Sequence, residues 1–122
     1  LQTKTLETSM RTVLFVSAAL LFATGAAAAE PESHVITLTL KDHRFTPDAV
    51  EAPAGQRIRI ELINQDSASE EFDSLDLGVE KDVTPKGRVS FVVGPLKPGA
   101  YSFMGELHAD TASGTLTAVA EH

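Results

Sequence analysis

Leu96-Lys97-Pro98-Gly99-Ala100-Tyr101-Ser102-Phe103-Met104-Gly105-Glu106-Leu107-His108-Ala109-Asp110 is the stretch on which the fold reading turns. A Pro-Gly corner opens it. Tyr101 and Phe103 then alternate with Ser102 and Met104, the period of a strand with one buried face. The strand runs straight into Gly105, after which Glu106, His108 and Asp110 stand at every second position. Those three side chains are among the few that bind a metal or move a proton near neutral pH.

Outward from this stretch, short β-type segments recur with turn signals between them. Val35 to Leu40 is β-branched and alternating; Phe45-Thr46-Pro47 interrupts it, and Ala49 to Ala52 leads to the turn Pro53-Ala54-Gly55. Arg57 to Ile63 alternates cleanly, with Ile58, Ile60 and Leu62 on one face and Arg57, Arg59 and Glu61 on the other. Val89 to Val93 and Gly114 to Val119 are further strands, and no run of ten or more residues carries a helical period. The pattern predicts an all-β, Greek-key β-sandwich of about seven to eight strands.

The chain has 122 residues, no cysteine and a formal net charge of −7. Residues 1–29 are expected to precede the folded domain, with translation starting at Met10. Met10-Arg11, an apolar run from Thr12 to Leu21 and Ala26 to Ala29 form a cleavable secretory signal pattern. Residues 30–122, about 93 residues, then form one domain. An exported protein of this kind is expected in the periplasm. Removing Lys4, Arg11 and Glu7 takes the formal charge to −8. That balance argues against nucleic acid and anionic lipid and favours metal cations or basic proteins.

Two groups of residues could carry chemistry. Asp66 to Asp82 holds seven acids against the one base Lys81, and Glu71-Phe72-Asp73 places two carboxylates on one strand face with Phe72 inward. Such carboxylates repel unless a cation lies between them; the alternative is a solvated acidic loop. Of the four histidines, His34 and His122 lie at the ends of the domain, whereas His43 and His108 lie in loops that a sandwich can bring to one end. With the acids they make a mixed nitrogen and oxygen set suited to Cu(II), Fe or Zn.

Taken together, Phe45-Thr46-Pro47, Pro53-Ala54-Gly55, Asn64 and Leu96-Lys97-Pro98-Gly99-Ala100-Tyr101-Ser102-Phe103 resemble the cupredoxins across most of Val35 to Val119. In that family the aromatic strand ends in a copper-binding cysteine with a histidine three residues later. Here Gly105 stands at the cysteine position, His108 at the histidine position, and Glu70 or Glu71 at the first histidine position. Without the thiolate there is no blue type 1 copper site. Glu71-Phe72-Asp73-Ser74, Glu80-Lys81 and the Gly105 to Gly114 segment, with Lys41-Asp42-His43 upstream, are similar to a cysteine-free cupredoxin encoded beside Ftr-type iron permeases in Gram-negative bacteria.

This resemblance implies a periplasmic protein that binds copper and/or iron and assists ferrous iron uptake, with possible oxidation of Fe(II) before transport. The matching positions are His43, Glu71, Asp73, Glu80, Glu106 and His108, with Met104, Asp110 and Glu70 as further candidates. It also implies an iron permease or periplasmic iron-binding partner; a homodimer is a further possibility. Two other readings stay open at this point: a non-catalytic copper chaperone or buffer, and a metal-free β-sandwich interaction module.

Overall fold

The computed structural model describes residues 34–120, so the extension and export signal expected at residues 1–29 lie outside them. In chain order the strands are β1 (His34–Lys41), β2 (Arg44–Thr46), β3 (Ala49–Pro53), β4 (Ile58–Asn64), β5 (Glu70–Ser74), β6 (Val79–Val83), β7 (Arg88–Val93), β8 (Gly99–Gly105) and β9 (Ser113–Val119). A 3-10 turn covers Glu106–His108. One sheet has the order β2-β1-β4-β7 and the other β3-β9-β8-β5-β6. β1 with β4 and β3 with β9 are parallel; the other pairs are antiparallel.

The all-β sandwich follows from period-two burial. Ile36, Leu38 and Leu40 of β1 and Ile58, Ile60 and Leu62 of β4 point inward, while the residues between them face out. They meet Phe72, Phe103 and Leu116 from the opposite sheet in a single core. Phe72 is central: its ring stacks on Phe103 at 5.1 Å and lies 5.0 Å from Phe91, and Phe45 meets both Phe72 and Phe103 edge-on. Edge-on and offset pairs of this kind add to the area they bury.

Among the described residues there are nine strands, against the expected seven to eight. Arg44–Thr46, read from sequence as an interruption, turns back on β1 and inserts Phe45 into the core. Most of the acidic segment is strand rather than loop: β5 and β6 form a hairpin, with Val83 buried and Val79 packed on the core. Its apolar positions are sparse because only one face is covered.

Buried Asn64 organises the end of the sandwich where the β1–β2 turn, the β4–β5 loop and the β8–β9 connection lie. Its amide nitrogen donates to the carbonyls of Ala68 and Thr84, and its side-chain oxygen accepts from the Asp66 amide. One side chain thereby fixes the loop that carries Asp66 into β5.

Candidate metal centre

The β1–β2 turn places Asp42 and His43 in the left-handed region, with φ 52° and 58°. Non-glycine residues seldom adopt that conformation, although Asp and His do so more readily than most. The Asp66 carboxylate compensates by accepting the Asp42 amide at 2.7 Å and the His43 amide at 2.9 Å. Partial burial pushes Asp66 up, but those two amides, the His43 ring and Lys86 outweigh it and hold the carboxyl below its usual value. The Thr111 hydroxyl donates to the His43 carbonyl, tying this turn to the β8–β9 connection.

His108 closes the 3-10 turn and stacks on His43, ring centroids 3.7 Å apart and planes 10° from parallel. Its Nδ1 lies 2.6 Å from Oε2 of Glu70. Glu70 is 1% exposed, and its Oε1 accepts the amides of Leu107 and Glu71. Three hydrogen bonds therefore surround a fully buried carboxylate, the condition under which burying one is tolerable. With Nδ1 of His108 engaged by Glu70, Nε2 is the ring nitrogen left for a further partner.

Gly105 explains why Glu70 fits. A Cβ at position 105 would stand 2.7 Å from Cδ of Glu70, 2.8 Å from its Oε2 and 2.9 Å from Cβ of Ala112. The carboxylate fills the space into which a side chain at 105 would grow. Of the two adjacent candidates, Glu70 faces inward beside His108 and Glu71 faces out. A thiolate copper centre does not fit here: the thiol is absent and its place is taken by a carboxylate bonded to the histidine.

The other carboxylates gather on the outer face of the same sheet. Asp73 lies opposite Glu80 and Glu71 opposite Asp82 across the β5–β6 hairpin, while Met104 of β8 pairs with Asp73. Donor atoms of Glu71, Asp73 and Glu106 all lie within 4.8 Å of one another. Glu71 is raised to about 7, first by a side-chain hydrogen bond with Glu106, then by burial and the charges of Glu106, Asp82 and Glu80. Near neutral pH Glu71 therefore readily holds a proton that a cation could replace. A hard cation bound at about 2.1 Å draws neighbouring oxygens to roughly 3 Å, a contraction within reach of flexible Glu side chains. This oxygen set fits such an ion.

The sequence candidates thus fall into distinct places. Glu71, Asp73 and Glu106 converge, with Glu80 and half-exposed Met104 on their margin. His43 and His108 come together as a stack anchored by Glu70. Asp110 is exposed and lines a shallow pocket with Arg44, Thr111 and Ser113. Asp66 and Asn64 support the site without having been singled out as ligands; the signal lay in Asn64-Gln65-Asp66, a turn-type triplet just after a clean strand.

The cupredoxin-like domain family matches residues 12–118. The chain belongs to that family. This cupredoxin-like protein is 44% identical over 79 residues to an uncharacterized protein of Rickettsia prowazekii (strain Madrid E), covering 65% of this chain and 63% of that one. The chain therefore spans less than two thirds of that relative's length. Auracyanin B matches at TM-score 0.64 and 13% identity, over 75% of this chain and 93% of its own. The metal-binding domain of the Streptococcus pneumoniae D39 Cu(I)-exporting P-type ATPase, solved with Cu(I), matches at TM-score 0.63 and 15% identity, over 76% and 92%. Auracyanin A, a "blue" copper protein from Chloroflexus aurantiacus, matches at TM-score 0.62 and 11% identity, over 72% and 100%. At these identities the structures share the fold. The cupredoxin-like architecture is related to that of copper-binding proteins, here without the cysteine.

Proposed function

We propose that this cupredoxin-like chain is a periplasmic metal-binding protein that takes up a cation through Glu71, Asp73 and Glu106 and serves ferrous iron uptake. The observation that carries this is the convergence of those three carboxylates on a sheet face whose strands contribute no Lys or Arg to it. Hard oxygen donors suit Fe²⁺ and hold Fe³⁺ more strongly, by charge. The raised Glu71 carboxyl makes uptake proton-linked, so affinity rises with pH. The resemblance to iron-permease-associated cupredoxins supplies iron as the cargo and a permease or iron-binding protein as the partner.

The Glu70–His108 pair favours a second reading, a copper-binding buffer or chaperone without turnover. A carboxylate on Nδ1 fixes the ring and leaves Nε2 for a metal, an arrangement common behind ligating histidines. Copper held there would supply a one-electron redox couple, and Glu70, Leu107 and Asp66 would keep the two rings in place.

Anaerobic titration with Fe²⁺ and with Cu²⁺ tests both. Glu71→Gln with Asp73→Asn is expected to weaken Fe²⁺ binding strongly and leave Cu²⁺ binding near the wild-type value, and His108→Ala the reverse. Unchanged Fe²⁺ binding in the carboxylate variant rules out the trio as the iron site. If the copper-loaded protein does not accelerate Fe²⁺ oxidation by oxygen, the buffer reading stands over the oxidase one.

A further inference from the structure

The formal charge of −7 hides a segregation of sign between the two outer faces. Outward positions of the five-stranded sheet include Glu51, Glu71, Asp73, Glu80 and Asp82; its one cation, Lys81, is exposed on the edge strand but falls on the alternate register position, opposite the inward Phe72. The four-stranded sheet is the reverse. Lys41, Arg44, Arg59 and Arg88 face outward from its strands against the one carboxylate Glu61.

The register shows how these cations are set. Val35, Arg59 and Val92 form one row across β1, β4 and β7, and Lys41 pairs with Arg44 on β1 and β2. Val35 is 51% and Val92 37% exposed, so the Arg59 row is apolar on both flanks. Between Arg59 and the Lys41–Arg44 pair run two further rows, Thr37, Glu61 and Ser90 and then Thr39, Ile63 and Arg88, so the one carboxylate of the face is flanked by short side chains and lies between the rows of Arg59 and Arg88. The Nη1 of Arg59 donates to the Ser90 hydroxyl at 3.2 Å, which keeps the guanidinium above the face.

We infer that this basic face is a docking surface for an anionic lipid bilayer. Sheets pack about 10 Å apart and side chains extend beyond them, so charges on the two outer faces are separated by roughly 20 Å. That is more than twice the Debye length of about 8 Å at physiological ionic strength. A surface meeting the basic face therefore senses four cations and one carboxylate, and the acids behind are screened. The sequence-level argument against anionic lipid, which used the net charge, does not apply to a face of this composition. A bilayer fits better than a nucleic acid because Val35 and Val92 can enter the headgroup region. Duplex phosphates offer those two valines nothing to bury against. In this orientation the carboxylate face points to solvent. The inference does not depend on the proposed metal function.

Co-sedimentation of the full chain with vesicles containing phosphatidylglycerol, against vesicles of phosphatidylcholine alone, tests it. Both the lipid comparison and the variant comparison cancel any charge-independent contribution from residues 1–33. The wild type is expected to prefer the anionic vesicles and to lose that preference at high salt. Each cation at an anionic surface is worth roughly fivefold in partitioning, so Arg59→Gln with Arg88→Gln is expected to reduce binding about 25-fold. Arg59→Glu with Arg88→Glu is expected to reduce it further. Circular dichroism identifies whichever pair remains folded. Equal binding to the two vesicle types overturns the proposal, as does preference unchanged in the folded variant. Tighter binding to duplex DNA than to vesicles also overturns it. So does self-association that the same substitutions abolish without any vesicle preference, which would give the face to a second copy of the chain.

Discussion

Gly105→Ala is the substitution on which the reading of the buried carboxylate can be decided by sign. The Gly105 backbone lies at φ −91° and ψ 108°, a conformation any residue adopts. On backbone grounds alone, replacing glycine by alanine there stabilises by about 0.4–1 kcal/mol through the unfolded chain. The structure predicts the opposite. The new Cβ would meet Cδ of Glu70 at 2.7 Å and Cβ of Ala112 at 2.9 Å. Glu70 is a flexible side chain in principle, but it is held by His108 and by the amides of Leu107 and Glu71. Moving it sacrifices hydrogen bonds to a charged group worth about 1.5–3 kcal/mol each. Leaving it in place forces overpacking, which costs about 1–3 kcal/mol.

With the backbone gain subtracted, the net expectation is a loss of about 0.5–2.5 kcal/mol, or roughly 3–15 °C in melting temperature for a domain of this size. Thermal and urea denaturation of wild type, Gly105→Ala, Glu70→Ala and the double variant measure it. Glu70→Ala is destabilising in itself, since it orphans the Leu107 and Glu71 amides. With the carboxylate gone, however, the alanine at 105 should cost at least about 1 kcal/mol less, a coupling of the size found between residues in contact. A Gly105→Ala protein as stable as wild type, or one equally destabilised in both backgrounds, would falsify the claim that Glu70 occupies the cysteine's place.

Glu71 makes the apo protein's stability depend on pH in a definite direction. Its folded value is raised from 4.5 to about 7, so between these the folded state holds more protons than the unfolded one and stability falls as pH rises. Chemical denaturation across that window should show the slope, and Glu71→Gln should flatten it. Asp66 and Asp76 act elsewhere: both lie below their usual value, so the stability they contribute is present above it and lost on acidification. Asp66→Ala removes both amide acceptors of the Asp42-His43 turn and should destabilise by about 1–3 kcal/mol, with the His43 and His108 ring resonances moving apart in NMR spectra. Phe72→Ala, at the centre of the ring cluster, should cost about 3–5 kcal/mol by urea denaturation.

How far the sequence reveals the fold can be argued from particular strands. Ile58, Ile60 and Leu62 and the Tyr101-Phe103 pair announce themselves because burial on one face imposes a period of two. Arg44–Thr46 and Val79–Val83 do not, because each buries too few apolar residues for a period to appear. Their pairing is set by tight turns that fold Arg44 back on Lys41 and Glu80 back on Asp73, which leave no apolar period to read. The two outer faces are hidden for a different reason. Arg59 and Arg88 come from strands far apart in the chain, and only the β4–β7 register puts them on one surface.

The candidate site shows the same division more sharply, at two adjacent residues. Glu70 and Glu71 have the same side chain, and strand geometry sends one inward and the other out. Phe72 decides which is which: once its ring is in the core, Glu70 and Ser74 must face in and Glu71 and Asp73 out. The parity is legible from Phe72. What Glu70 does inside is not, because that depends on Gly105, 35 positions later in the chain and opposite Phe72 across the β5–β8 pair. At Gly105 the carboxylate of one strand fills the space that a side chain on its neighbour would need, and it engages His108. The arrangement keeps two chemistries apart. The His108 imidazole is oriented by a buried carboxylate and carries His43 stacked upon it, while the other carboxylates stand on the outer face, where repulsion makes Glu71 receptive to a proton or a cation.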